Sequence, residues 1–363
     1  MERILYIMGN MGLGGAETHI MKVYRQIDKA RYQFDFVLNT PQKCYYEDEI
    51  LGLGGKIYRV TAKSKSVIKN YKDIKKIVSE QHYRIVFKCG EQAMSWTEML
   101  AAKQGGAIKR IMRSTNSKGG DSKVANMIHC LSRVPLGMLV TDKIAPSKVA
   151  GEWLFGKKGC QHLILMNNGL DLDEYTFTSE KRSAARAEFS IPQDAFVMGH
   201  VGRFNEQKNH DFLIDIFNAY YRESENGYLF LVGDGPLKNQ IENKVDNLGL
   251  HDRVIFAGNR ADVNILYSAM DAFVFPSFYE GMPNTVIEAQ ANGLPCFVSD
   301  TITTDANITG NVEYIKLGSC NSWVNAIKHG TLERYNSTAF FERAGYDIGS
   351  VVQQYVDIFE REK

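Results

Sequence analysis

Short runs of apolar residues recur along the chain, and between them apolar positions return every third or fourth residue. Ile4-Leu5-Tyr6-Ile7-Met8 opens the series, a helical pattern runs from Ala16 to about Lys29, and Phe34-Asp35-Phe36-Val37-Leu38 follows. Ile85-Val86-Phe87, Ile108-Lys109-Arg110-Ile111-Met112 and Lys143-Ile144-Ala145 continue it. Strands separated by helices of about 10–15 residues read as βαβ units around a parallel sheet. The rhythm then restarts with Phe196–Val201, Tyr228–Val232, Val254–Ala257, Ala272–Phe275 and Pro295–Val298. The pattern predicts an α/β chain of two Rossmann-like domains, residues 1–168 and 169–345. The boundary falls within Ile164–Tyr175, where Asn167-Asn168-Gly169 supplies turn chemistry. Val351, Val352, Tyr355, Val356 and Phe359 stand at helical spacing and mark a terminal helix within 346–363.

Composition narrows the class. The 363 residues are 44% apolar and 23% charged, too apolar for a disordered chain. With 43 Lys+Arg against 42 Asp+Glu the net charge is +1, which argues against a dedicated nucleic-acid binder. That total hides an asymmetry: residues 1–168 carry 27 basic and 14 acidic side chains, net +13, and residues 169–363 carry 16 and 28, net −12. Opposed halves point to a surface-directed face. The six cysteines form no C-x-x-C pair, so neither a zinc ribbon nor a disulfide framework is indicated, and a reducing cytosol fits. The first apolar run meets glycines at once, unlike a signal peptide. Met127–Val140 is interrupted by Arg133 and Pro135 and falls short of the roughly 20 residues a bilayer span requires.

In open parallel sheets ligands lie beyond the carboxyl ends of the strands, so the loops there carry the candidate chemistry. The first, Gly9-Asn10-Met11-Gly12-Leu13-Gly14-Gly15-Ala16-Glu17, opens a helix and suits a phosphate. Glu17 stands where a dinucleotide fingerprint needs a small residue, which disfavours a nicotinamide cofactor. In the second half, Gly202-Arg203-Phe204-Asn205-Glu206-Gln207-Lys208 brings two cations to one strand end, as a diphosphate leaving group requires. The stretch Pro276–Ala289 places Glu280 before a Gly-x-Pro turn and Glu288 two turns into the next helix. The two glutamates could stand up to roughly 12 Å apart. That span suits the two ends of a sugar nucleotide better than the carboxylate pair of a retaining hydrolase, about 5–5.5 Å apart.

These residues carry a resemblance. Gly14-Gly15-Ala16-Glu17, the segment from Ala145-Pro146-Ser147 to Trp153-Leu154-Phe155-Gly156, Asn168-Gly169-Leu170-Asp171, Gly202-Arg203 with Lys208, Gly233-Asp234-Gly235-Pro236-Leu237, and Glu280 with Glu288 together resemble retaining glycosyltransferase family 4, in particular its capsule and exopolysaccharide enzymes. The resemblance implies the GT-B fold, two Rossmann-like domains facing a central cleft, with the terminal helix crossing back to the first. It implies that Arg203 and Lys208 grip the diphosphate of a nucleotide sugar, Glu288 bonds the ribose hydroxyls and Glu280 lies by the sugar. The donor-binding backbone from Gly281 through Met282, Pro283 and Asn284 to Thr285 would support sugar or phosphate, Gly15 would approach the phosphate, and the backbone at Asn259 and Arg260 would read the base. Where related enzymes often carry a His-Ser-His-Asn-like run, this chain reads Arg113-Ser114-Thr115-Asn116, so Arg113, Thr115 and Asn116 are the acceptor-side candidates.

The implied reaction moves a sugar, with retention, from a nucleotide-diphosphate donor such as a UDP-sugar to a lipid-linked saccharide. It needs no metal and no other cofactor: Asp171-Leu172-Asp173 matches a D-x-D pattern only formally, in a turn where capping suffices, and the eight histidines show no ligand spacing. Lys56–Arg84 holds nine basic residues against Asp73 and Glu80, so an anionic membrane is a candidate partner for the first domain, on the inner face of the cell membrane. Three alternatives stay open: a UDP-sugar epimerase of the same architecture, a non-catalytic sugar-nucleotide binder, and a basic lipid- or nucleic-acid-binding module.

Overall fold

The computed structural model describes residues 1–115 and 122–361. The chain folds into two compact units, Met1–Gly169 with Ile348–Lys363, and Leu170–Asp347. In the first, strands β1 (Glu2–Ile7), β2 (Tyr32–Leu38), β3 (Ile57–Arg59), β4 (Ile85–Gly90), β5 (Lys109–Ser114), β6 (Asp142–Ala145) and β7 (Leu163–Leu165) form a parallel sheet in the order β3-β2-β1-β4-β5-β6-β7. In the second, β8 (Phe196–Val201), β9 (Gly227–Val232), β10 (Val254–Gly258), β11 (Ala272–Phe275), β12 (Cys296–Ser299) and β13 (Val312–Ile315) run in the order β10-β9-β8-β11-β12-β13. Both are doubly wound α/β sheets, as the alternation predicts.

Helices cover both faces of each sheet, and this is why the strands read as continuous apolar runs. All seven residues of β2 are buried. On one face of the first sheet, Tyr6, Phe34, Phe36 and Phe87 pack with Ile20 and Tyr24 from helix Gly15–Gln26 and with Val351, Tyr355 and Phe359 from the terminal helix Ile348–Glu360. The hydroxyl of Tyr355 pairs with His19 Nε2 at 2.9 Å, and Lys109 Nζ donates to the carbonyls of Phe359 and Arg361 at 2.9 and 2.8 Å, closing the end of that helix. On the other face, Leu5, Ile7 and Val86 meet Ile74 and Val78 of helix Val67–Glu80, Met99 of helix Trp96–Gly105 and Leu136 of helix Lys123–Leu139. Ser66, Ser122, Ser147 and Thr178 each accept a backbone N–H two or three residues into the helix that follows, so these starts are set by local sequence.

The basic segment folds accordingly. Helix Val67–Glu80 turns Ile74 and Val78 to the sheet and leaves Lys69, Lys72 and Lys76 exposed, while Lys63 and Arg59 are taken up by Glu98 and Glu47 at 2.9 and 2.8 Å. Among the described residues no helix is long and apolar enough to cross a membrane.

Candidate functional site

Strand order explains which loops meet in the second unit. β8 and β11 are parallel neighbours at the point where the winding reverses, with Ala272 beside Met198 and Phe273 beside Gly199. Loops leaving two such strands emerge side by side and form the crevice where doubly wound sheets bind ligands. After β8 the chain runs Gly202 to Lys208, and after β11 it runs Pro276 to Pro283, directly into helix Asn284–Ala291.

The two loops are stitched together. Phe278 N donates to Gln207 O and Gln207 Nε2 donates to Tyr279 O, both at 2.9 Å, and Asn209 Nδ2 donates to Pro276 O at 3.1 Å. Lys208 Nζ lies 2.7 Å from Glu280 Oε1 and 4.6 Å from the centre of the Phe275 ring. The fully buried Ser277 donates its hydroxyl to the same carboxylate oxygen at 2.9 Å. Lys208 and Glu280 are only 15% and 9% exposed, so each charge depends on the other for compensation. Arg203, on the same loop, is exposed.

A third loop braces the first by backbone contact. Gly233 has φ +139°, and a Cβ there would fall 2.1 Å from Gly202 O; a Cβ at Gly235 would fall 2.5 Å from Phe204 O. Phe204 N donates to Asp234 O and Leu237 N to Phe204 O, both at 3.0 Å. The Gly-Asp-Gly motif therefore lets two main chains touch and shapes the Arg203–Lys208 loop from behind.

Glu288 is oriented by a residue outside every motif. Tyr267, fully buried, places its hydroxyl 3.1 Å from Glu288 Oε2 and 3.2 Å from Thr285 O. Burial, reinforced by the Glu288 charge, raises the pKa of that hydroxyl well above the ordinary tyrosine range, so it stays a donor. Helix Asn284–Ala291 begins after buried Pro283 with no side-chain cap, and first-turn N–H groups have no partners within a helix. Gly281, Met282 and Asn284 are half-exposed around this start, and the Thr285 hydroxyl is buried with no partner among the described residues.

Two buried imidazoles underlie the Gly202–Lys208 loop. His200 bonds Val274 O through Nδ1 at 2.9 Å and stacks on Phe275, while His210 stacks on Phe204 at 4.1 Å. Burial drives both toward the neutral form, His200 well below the usual range and His210 down to about 4, where Lys208 also contributes. Sequence reasoning did not single them out, nor Tyr267 and Ser277, because their burial and their partners come from contacts between distant segments, which leave no periodic signal along the chain.

Other candidates have different settings. Arg260 forms a fork with Asp262 at 2.8 and 2.7 Å and reaches Glu188 at 2.7 Å; its charge is spent within the protein, leaving its backbone and the exposed Asn259 at the end of β10. In the first unit Gly15 is exposed at the start of its helix, and the Glu17 carboxylate folds back over that start, 2.3 Å from where a Gly14 Cβ would be. Arg113 differs from the expectation that it meets an acceptor: it is 2% exposed and donates to Asn168 Oδ1 at 2.6 Å and Met166 O at 3.3 Å. A strand end buried under the chain that leaves β7 has turned this cation into an internal brace. Thr115 is half-exposed, and Asn116 lies outside the described residues. Asp171 stands at the N-cap of helix Leu172–Tyr175 but makes no side-chain capping bond there. Among the described residues no three His, Cys, Asp or Glu side chains gather as a metal-binding group.

Residues 181–325 match the model of the family described as glycosyl transferases group 1. The putative glycosyltransferase EpsF of Bacillus subtilis is 32% identical across 98% of this chain and 94% of its own length. The chain belongs to the group 1 glycosyltransferases. The enzyme is also 31% identical, over 44% of its length and 43% of the relative's, to the UDP-Gal:alpha-D-GlcNAc-diphosphoundecaprenol alpha-1,3-galactosyltransferase of Escherichia coli. Its fold matches the crystal structure of Anabaena Alr3699/HepE in complex with UDP and glucose, with a TM-score of 0.80 at 18% identity and full coverage of both chains, which shows the GT-B fold. The glycosyltransferase thus places Lys208, Glu280, Ser277, Glu288 and Tyr267 around the loops at the winding reversal of its second sheet.

Proposed function

We propose that the enzyme transfers a sugar, with retention, from a nucleoside-diphosphate donor, a UDP-sugar, to a lipid-linked saccharide in capsule or exopolysaccharide assembly. The observation that carries this is the pairing of Lys208 with Glu280 beside an exposed Arg203 and an uncapped helix start. A leaving diphosphate develops negative charge, and fixed cations with helix N–H groups stabilise it without reorganising. In this reading Arg203 and Lys208 hold the diphosphate, Glu280 meets the donor sugar, and the N–H groups of Gly281, Met282, Asn284 and Thr285 support both. Glu288, held by Tyr267, takes the ribose hydroxyls, and the backbone at Asn259 and Arg260 reads the base.

The bond from the anomeric carbon to the diphosphate oxygen breaks as the bond to the acceptor oxygen forms on the same face. The acceptor proton passes to the departing diphosphate, so no protein base and no metal is required. The Escherichia coli relative, whose name gives UDP-Gal and a diphosphoundecaprenol acceptor, and the UDP and UDP-glucose complexes of the Anabaena protein support this choice of donor and acceptor. Exposed Lys69, Lys72 and Lys76 would meet anionic lipid at the inner face of the cell membrane, where such an acceptor lies.

Incubation with a panel of nucleotide sugars, with and without a polyprenyl-diphosphate saccharide, tests the reading. The expected result is nucleoside diphosphate release coupled to an α-linked product, undiminished by chelator. Conversion of the donor without an acceptor, an inverted product, or activity lost in chelator and restored by magnesium or manganese would overturn the corresponding part.

A further inference from the structure

Helix Lys123–Leu139 carries six large apolar residues on the outside. Val124, Met127, Ile128, Leu131, Val134 and Met138 are between 43% and 78% exposed. Their offsets of 3, 4, 7, 10 and 14 residues align them in one stripe along a helix about 25 Å long. The inward side sets His129 and Ser132 beside the buried Leu136 and Leu139. His129 accepts the Ala93 N–H at 3.1 Å through Nδ1, bonds Trp153 O at 2.8 Å through Nε2, and stacks on the Trp153 ring at 4.2 Å. Ser132 donates to Met94 Sδ at 3.3 Å. These directional contacts set the rotation of the helix, so the outward apolar stripe is a fixed feature of the fold.

The helix itself is of one charge sign. No Asp or Glu occurs from Ser122 to Thr141, and Lys123 is exposed at the helix start. The adjoining helix Lys148–Phe155 begins with exposed Lys148 and Val149, and exposed Lys157 and Lys158 follow it. An apolar stripe rimmed by cations, on a helix too short to span, is what an amphipathic helix lying in an anionic lipid interface requires. A second copy would bring these cations, on a half with net charge +13, against themselves.

We propose that helix Lys123–Leu139 lies flat in the headgroup region of an anionic bilayer, its stripe inserted and the flanking lysines on lipid phosphates. This shares its partner with the reading of Lys69, Lys72 and Lys76 above but rests on different residues and a different force, burial of apolar area.

Flotation of the full chain with vesicles of phosphatidylcholine, with and without phosphatidylglycerol, tests it. The comparison is with Met127→Ser/Leu131→Ser/Met138→Ser, all solvent-exposed positions, its folding checked by circular dichroism and its oligomeric state by sedimentation velocity. The expected result is binding of the wild type to phosphatidylglycerol vesicles and a loss of roughly tenfold or more in the triple variant, both chains staying monomeric. Equal flotation of the two overturns the proposal, as does no flotation of the wild type, or a wild-type dimer that the substitutions dissociate, which would make the stripe a self-interface. In parallel, Lys69→Glu/Lys72→Glu/Lys76→Glu is floated. Loss there, with the serine variant floating normally, upholds the lysine reading and overturns this one.

Discussion

The ammonium of Lys208 stands 2.7 Å from Glu280 Oε1, although 72 positions separate them in the chain. Parallel pairing of β8 with β11 brings the two loops together, and the Ser277 hydroxyl and the Phe275 ring hold the pair in place. Each group then fixes the other's orientation before any donor arrives, which is the condition for electrostatic stabilisation without reorganisation.

Lys208→Ala is expected to lower kcat/KM for the nucleotide sugar by roughly 100- to 1,000-fold, the cost of losing one preorganised group at a site of developing charge. Glu280→Gln should also lower it strongly. Because the two touch, Lys208→Ala/Glu280→Gln should lose clearly less than the product of the single effects. Multiplicative losses in a double-mutant cycle would show that the pair does not act as a unit.

Tyr267→Phe removes the hydroxyl that bonds the Glu288 carboxylate and leaves the ring packed. With Glu288 at the ribose, the donor KM should rise about tenfold, near the ~1–1.5 kcal/mol of one hydrogen bond, with kcat little changed. A fall in kcat at constant KM would place Glu288 at the reacting bond instead.

Gly233→Ala and Gly235→Ala force a Cβ to within 2.1 and 2.5 Å of backbone oxygens of the Gly202–Phe204 segment. Each should cost about 2–4 kcal/mol in urea unfolding, from overpacking and, at Gly233, a positive φ. Donor affinity should fall as well, since the strained loop carries Arg203 and Lys208. Wild-type stability in either variant would show that the loops are free to separate.

His210 is neutral in the fold, with its pKa held at about 4 against 6.5 for a free imidazole. Between these values the unfolded chain binds the proton and the folded chain does not, so stability falls as pH drops from 6.5 toward 4, by up to about 3 kcal/mol from this residue. Above 6.5 the contribution vanishes, because both states are neutral. His210→Phe preserves the stack on Phe204 and breaks no hydrogen bond shown for the ring. Its unfolding free energy should therefore depend less steeply on pH in this window than the wild type's. Parallel slopes would mean that His210 is protonated in the folded state.

Much of this was legible in the sequence. Alternating apolar runs and helical periods specified two doubly wound sheets, because a strand covered on both faces must be apolar throughout, as β2 is. The structure adds that serine and threonine caps set several helix starts locally, since a cap acts within three residues. The loops bearing Arg203, Lys208, Glu280 and Glu288 stood out as polar chemistry at strand ends. The tertiary structure alone decided the partners: Tyr267 for Glu288, Ser277 for Glu280, Glu188 and Asp262 for Arg260, and Asn168 for the internal Arg113. It also decided which side of helix Lys123–Leu139 faces out, because the bonds of His129 and Ser132 to other segments outweigh the apolar stripe. Periodicity along a chain reports only that a helix has two faces. Which face is buried depends on what the neighbouring elements offer, and that is set when strands far apart in sequence pair side by side.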